Sequence, residues 1–332
     1  MIRRLFYGFV WLLLPLALCA EPVKVILDTD IGNDCEDAAA LGVLHALADR
    51  GEAEILAVIY PMRDRWGAPA IDAINAYYGR PEIPIGTYRG TFEYTRPHAY
   101  VNNTALAEGF PHRLKDGDKA YDAIALYRRT LALQPDHSVV IVVIGPEETL
   151  SELLASVGDE FSPLSGRDLV AQKVARLAAM GGAFPNSAEP EWNLMLAPAA
   201  AAEVARRWPT PIMYSGFEIG NAIVVGQRLF TETPESNPVR KAYALDPKCS
   251  HGRMGWDETA VLYGVRGLRD YWFAEANGDV QVDPVTGANQ WRPSPDHQRA
   301  YLKARRSPEE MKKLIGDLEV QPPRHAPSEP AH

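Results

Sequence analysis

The stretch "VILDTDIGNDCEDAAAL", residues 25–41, decides the reading of the chain. Three apolar residues, Val25 to Leu27, lead into five carboxylates within ten residues: Asp28, Asp30, Asp34, Glu36 and Asp37. An alanine-rich run follows at once. Like charges raise each other's pKa and resist burial. So much negative charge against a hydrophobic element therefore calls for a positive partner. "VKVILDTD" reads as a strand ending in carboxylates. "DAAALGVLHALADRG" reads as a helix from Asp37 that stops at Gly51.

Working outward, "AEILAVIY" is a second strand, "APAIDAINAYYGR" a helix ending at Gly79, and "PEIPIG" a short edge strand. The order βαβα returns later. "HSVVIVVIG" is a buried strand, and "PEETLSELLASV" opens a helix with Pro146 in its first turn. "RLAAMGG" and "PIMYSGF" read as strands; "APAAAAEVARRW" and "DETAVLYGV" read as helices. This order predicts an α/β fold: an open, mostly parallel sheet with helices on both faces, in a single domain over residues 21–322. Between Thr87 and Asp122 the pattern is irregular and rich in Tyr, Arg, Asn and Pro, and is expected to be a long loop, a candidate lid. Residues 323–332 are expected to be a disordered tail. In such a sheet, ligands bind beyond the carboxyl ends of the strands. There the acidic cluster can meet Ile144-Gly145, Gly181-Gly182 and Gly216.

The chain has 332 residues and a formal net charge of -9. That charge, with no basic cluster against it, argues against nucleic acid as a partner. The opening "MIRRLFYGFVWLLLPLALCAEP" has Arg3 and Arg4, an apolar stretch, then small residues at Cys19 and Ala20. It reads as a signal peptide over residues 1–20, which predicts export to the periplasm or the medium and no stable membrane insertion after cleavage. Cys35 and Cys249 remain in the mature chain. An exported protein can keep a disulfide, so the two could pair. The plainer expectation, taken here, is two unpaired and partly buried thiols.

The residues point to a hard divalent cation as the partner of the carboxylates, because such ions take oxygen ligands. Few cysteines and no paired-histidine motif disfavour zinc. The plain alternative is a solvated acidic turn at the positive end of the following helix. Five carboxylates at one strand end favour the metal.

"DTDIGNDCEDAAAL" resembles the motif of the inosine-uridine preferring nucleoside hydrolases. "AIDAINAYYGRPEIPIG", "VVIVVIGPEETL", "EWNLMLAPAAAAEV" and "GWDETAVLYGV" follow in that family's order, so the resemblance runs from about Val23 to Pro322. It implies a bound Ca²⁺ and hydrolysis of an N-glycosidic bond to ribose by attack of water. It implies Asp30 as metal ligand and general base. Asp37, Asp257 and the backbone carbonyl of Ile144 would be further ligands, with Asp28 supporting them. Glu191 and Asn193, with Asn186 upstream, would contact the ribose, and Glu36 would reach a ribose hydroxyl. A small-molecule nucleoside or other ribosyl substrate and a homo-oligomer are implied as partners. The chemistry suits these residue types. Ribose cleavage passes through an oxocarbenium-like transition state, a cation lowers the pKa of water, and a carboxylate takes its proton.

The chain departs from the pattern at four places. Glu36 stands in place of Asp. Trp256 stands before Asp257 where well-known members carry a His tied to leaving-group protonation, and His251 could substitute. Ala197 replaces an Asp. Arg63 and Asp64 stand near the place of an Asn after the second strand. Trp66, Trp192 and Trp256 are candidates to stack on a base, with Trp256 the first choice. Two other readings stay open. One is a Mg²⁺-dependent phosphohydrolase built on the "DTD". The other is a non-catalytic binder of nucleosides or sugars on the same fold.

Overall fold

The computed structural model describes residues 21–324 apart from 33, 92–98, 188 and 296–297. The proposed signal peptide, residues 325–332 of the expected tail and part of the expected lid lie outside the described residues.

The chain begins as read: β1 (Val23–Asp28), α1 (Glu36–Asp49), β2 (Ala53–Tyr60), α2 (Gly67–Tyr77) and β3 (Ile85–Thr87). The stretch expected to be a long loop is more ordered than that. It contains α3 (Ala99–Gly109), a 3₁₀ turn and β4 (Tyr121–Asp122). The reason is local burial. Asn103 of α3 is fully buried, and its side-chain amide donates to the Ile31 carbonyl at 2.9 Å. Gly32, at φ +106°, makes room for it, since a Cβ there would sit 2.4 Å from the Asn103 amide.

The remainder alternates helices and strands: α4 (Ala123–Ala132), β5 (Val139–Val143), α5 (Glu148–Ala155), α6 (Gly166–Lys173), β6 (Val174–Met180), α7 (Trp192–Leu196), α8 (Pro198–Arg207) and β7 (Ile212–Ser215). Then follow α9 (Phe217–Asn221), β8 (Val224–Val225), α10 (Leu229–Glu232), α11 (Pro238–Leu245), β9 (Arg253–Met254) and α12 (Trp256–Arg266). The chain closes with β10 (Trp272–Glu275), β11 (Gly278–Val282), β12 (Asn289–Pro293), β13 (Arg299–Ala304) and α13 (Pro308–Glu319).

Nine strands form one sheet in the order β10-β13-β7-β6-β5-β1-β2-β3-β4. All neighbours run parallel except β10 with β13. Strand residues alternate between the two faces. Val25 and Leu27 enter one core, with α1, α2 and α12; Ile26 enters the other, with α4, α5 and α8. From β1 the chain builds outward through β2 to β4, then returns to β5 on the other side of β1 and builds the opposite way. The order therefore reverses between β1 and β5. Beyond the carboxyl ends of these two strands lies the crevice where doubly wound sheets bind ligands. Among the described residues, no helix is long and apolar enough to cross a membrane.

Candidate active site

The crevice holds a cavity of about 200 Å³. Asp30, Asp34, Glu36, Asp37, Ile144, Met180, Glu191, Trp192, Asn193, Phe217, Arg253, Trp256 and Asp257 line it. The structure thus brings together Asp30, Glu36, Asp37, Ile144, Glu191, Asn193, Trp256 and Asp257, but not Asn186. That residue is exposed, and its side-chain carbonyl accepts the Trp291 backbone N–H at 3.0 Å.

Each wall has a local origin. Asp30 lies in the turn just past β1, and Gly145 past β5 leaves space for it: a Cβ on Gly145 would sit 2.7 Å from Asp30 Oδ1. Glu36 and Asp37 occupy the first turn of α1, and Asp257 the first turn of α12. Negative charge suits those helix starts. The Thr29 hydroxyl donates to Asp37 at 2.6 Å. Burial, then the charges of Asp30 and Asp34, pushes Asp37 well above the usual carboxylate range. Burial, then Asp37 and Glu36, does the same to Asp257. Glu36 is raised by burial and then by Asp34.

Asp28 is fully buried behind this wall. Its carboxylate accepts the Tyr127 hydroxyl at 2.7 Å and the Thr149 hydroxyl, and burial lifts it to about 7 despite both bonds. Asp28 therefore supports the site from beneath rather than lining it.

The opposite wall is α7. Glu191 precedes the helix and accepts backbone N–H groups from Gly182, Asn193 and Leu194 at 3.0, 3.0 and 3.3 Å. Burial lifts Glu191 to about 7 against those bonds. The Asn193 amide donates to the carbonyls of Ile144 and Met180 at 3.3 and 3.1 Å.

Sequence reading missed Arg253. Its guanidinium Nη2 lies 3.1 Å from Asp34, its Nε 3.4 Å from Glu36, and its carbon 5.0 Å from the centre of the Trp256 ring. The signal was available: a cation three residues before the Trp-Asp pair, in a segment that drew notice only for His251. His251 itself is exposed, and among the described residues no histidine lines the cavity. Glu36 faces Arg253, and α1 has no side-chain capping bond, so Glu36 is not a helix cap.

Trp256 lines the cavity, but its ring already stacks on Phe217 at 5.2 Å, and its Nε1–H donates to the Phe217 carbonyl at 2.8 Å. The exposed aromatic surfaces at the mouth are Trp192 and Phe217. Trp66 lies elsewhere, beneath the Arg65 guanidinium. Asp64 accepts the backbone N–H groups of Trp66 and Gly67 at the start of α2, at 2.8 and 2.9 Å, and Arg63 is exposed. Ala197 is buried at the junction of α7 and α8.

The expectation of two free thiols was wrong. Cys35 and Cys249 form a disulfide, and both are fully rather than partly buried. The packing of α1 against the segment before α12 brings them together across 214 residues of sequence.

Among the described residues, no three His, Cys, Asp or Glu side chains are arranged as a metal-holding group. The donor chemistry nonetheless fits a hard cation. Asp30, Asp37 and Asp257 are buried oxygen donors around one cavity, Asp37 raised by the charge of Asp30 and Asp257 by that of Asp37, with the Ile144 carbonyl beside them.

The sequence pattern of the inosine-uridine preferring nucleoside hydrolases matches residues 25–290, and the chain belongs to that family. The class of enzyme follows: a nucleoside N-ribosyl hydrolase. The phosphohydrolase reading falls with it. No curated protein matches the chain significantly. Solved structures share the fold. An inosine-uridine preferring nucleoside hydrolase from Bacillus anthracis is 17% identical, with 90% of this chain and 99% of that chain covered and a TM-score of 0.67. An inosine-guanosine nucleoside hydrolase is 17% identical, with 90% and 98% covered and a TM-score of 0.68. The type III effector protein XopQ, complexed with adenosine diphosphate ribose, is 16% identical, with 90% and 94% covered and a TM-score of 0.66.

Proposed function

We infer that this chain hydrolyses the N-glycosidic bond of a ribonucleoside, or a closely related ribosyl compound, with a divalent cation, Ca²⁺ by preference. The observation that carries this is convergence: Asp30, Asp37, Asp257, Glu191, Asn193 and Ile144 meet on one cavity at the reversal of the strand order. Asp30, Asp37, Asp257 and the Ile144 carbonyl would hold the cation. When bound, it would fix the ribose hydroxyls and acidify water.

The protein's own groups do the rest. Glu191 and Asn193 orient the sugar, each already locked by backbone bonds. Asp30 takes the proton of the attacking water. The water oxygen bonds to the anomeric carbon as the C–N bond breaks, and the electron pair leaves with the base. The surrounding carboxylates stabilise the positive ribosyl centre. Trp192 and Phe217 offer the base an aromatic surface. Turnover of a nucleoside panel, followed as free ribose, tests this reading. Ribose from none of them would leave a binder in its place.

We also propose export. The opening segment and the Cys35–Cys249 disulfide support it, since disulfides persist in oxidising compartments. The mass of the mature protein recovered from the periplasm or medium should lack about twenty residues. An intact amino terminus on a cytoplasmic protein would contradict it. Assembly as a homo-oligomer is proposed on the family resemblance alone, and light scattering on the purified chain would read it.

A further inference from the structure

Resting on the hydrolase reading above, we propose that the Cys35–Cys249 disulfide is a positioning element of the active site, holding Arg253 over the acidic wall. The observation is a coincidence of three positions. Cys35 sits between Asp34 and Glu36 in the chain, and these are the two carboxylates that Arg253 engages, at 3.1 and 3.4 Å. Cys249 lies four residues before Arg253, on the segment that leads into α12 and so to Trp256 and Asp257. The covalent bond therefore ties the backbone of the two acids to the backbone of their cation.

From outside, the segment is held by few backbone bonds. Between Cys249 and Gly252 the bonds are short-range, Cys249 N–H to the Asp246 carbonyl and Gly252 N–H to the Cys249 carbonyl, both at 2.9 Å; the next anchor is Gly255 N–H to the Ile223 carbonyl at 2.8 Å, beyond Arg253. Arg253 itself lies on the two-residue β9, which pairs only with the two-residue β8. A long, flexible guanidinium stem placed by such a short strand loses its aim if the strand shifts. A displacement of ~1 Å can cost about a hundredfold where geometry governs the rate. A disulfide that served stability alone could close any long loop. This one closes behind the cavity wall, between the lining residues Asp34 and Glu36 in the chain.

Arg253 matters at that point because it is, among the described residues, the cation lining a cavity that six carboxylates also line. It forms an ion pair with Glu36 at 3.4 Å and lies against the Trp256 ring. The disulfide is a positioning device, not a reacting group, and no redox step is needed for its role.

The test is a double-mutant cycle on the full-length mature chain. The four proteins are the parent, Cys35→Ala/Cys249→Ala, Arg253→Ala, and the three changes together. KM and kcat are measured on the nucleoside the parent turns over best. Removing the disulfide should raise KM about tenfold, as should Arg253→Ala, with kcat changed less. The combined protein should be no worse than either, because directly coupled residues are not additive. Multiplying penalties, or a parental KM without the disulfide, would overturn the proposal. If the cysteine-free protein does not fold, the oxidised and reduced forms of the intact chain are compared instead, with free thiols counted; equal KM values would overturn it. If the parent turns over no nucleoside, the hydrolase reading fails separately. A crystal structure of the cysteine-free protein then decides: Arg253 still paired with both Asp34 and Glu36 would refute the role given to the disulfide.

Discussion

The two walls of the cavity treat negative charge in opposite ways. On the α7 side, three backbone N–H groups hold the Glu191 carboxylate and offset part of the burial that still lifts it to about 7, with no neighbouring carboxylate among the main causes. On the α1–α12 side, Asp37, Asp257 and Glu36 are raised by burial and then by neighbouring carboxylates, with a threonine hydroxyl on Asp37 and one guanidinium beside Glu36. In the proposed function, a hydrogen-bonded carboxylate suits a fixed sugar contact and a crowded, under-compensated set suits a cation, whose charge would answer it. Both walls flank the same reversal of strand order, so a sugar between them would meet rigid acceptors on one side and metal chemistry on the other.

The largest loss should follow Asp30→Asn. Asn keeps an oxygen for the cation but cannot take a proton. Ribose release should fall ~10²–10⁴-fold with the fold intact. Near-parental turnover, in protein whose metal content matches the parent's, would remove Asp30 as the base.

Glu36→Asp sharpens the acidic wall. The shorter side chain draws its carboxylate away from Arg253 by about an ångström, and turnover should drop by as much as ~10²-fold. Higher activity on simple nucleosides would mean instead that Glu36 crowds a standard site.

Much of this was legible in the sequence because the determinants are local. The strand ending in "DTD", the acids that open α1, the Glu-Trp-Asn before α8 and the Trp-Asp that opens α12 each sit at an element boundary that periodicity and helix-start chemistry mark. What was missed depends on distance. Pairing of Cys35 with Cys249 follows from helix packing across 214 residues, which no local pattern records. Arg253 gains its meaning only when β9 delivers it to Asp34 and Glu36. Helix α3 lacks a clean apolar stripe, and it is fixed by the buried Asn103 gripping the turn after β1. The antiparallel β10–β13 pair and the β11–β12 hairpin were not read at all: β10, β11 and β12 are only four or five residues long, and the pairing of β10 with β13 joins segments far apart in the chain.

The smallest expected effect on activity comes from Glu147, buried behind Glu191. Burial, then the Glu191 charge, pushes its carboxyl from 4.5 up to about 8. The folded chain thus keeps a proton that the unfolded chain has released. Its contribution to stability is full below about pH 4.5 and is lost as pH rises through about 8. Denaturant midpoints of the parent should fall from pH 5 to pH 8.5. The unfolding free energy of Glu147→Gln should fall less over that range, by on the order of 4 kcal/mol. Parallel profiles would show that the charge penalty lies at other buried acids.

The central claim, that the under-compensated wall is completed by a cation for ribosyl hydrolysis, meets its most direct test in one titration. Purified protein is stripped with chelator, then assayed for ribose release from its best nucleoside as Ca²⁺ is added back, with Mg²⁺ in a parallel series. Release should vanish on stripping and return with Ca²⁺ to a plateau at one ion per chain. Full activity in the stripped protein would contradict the account.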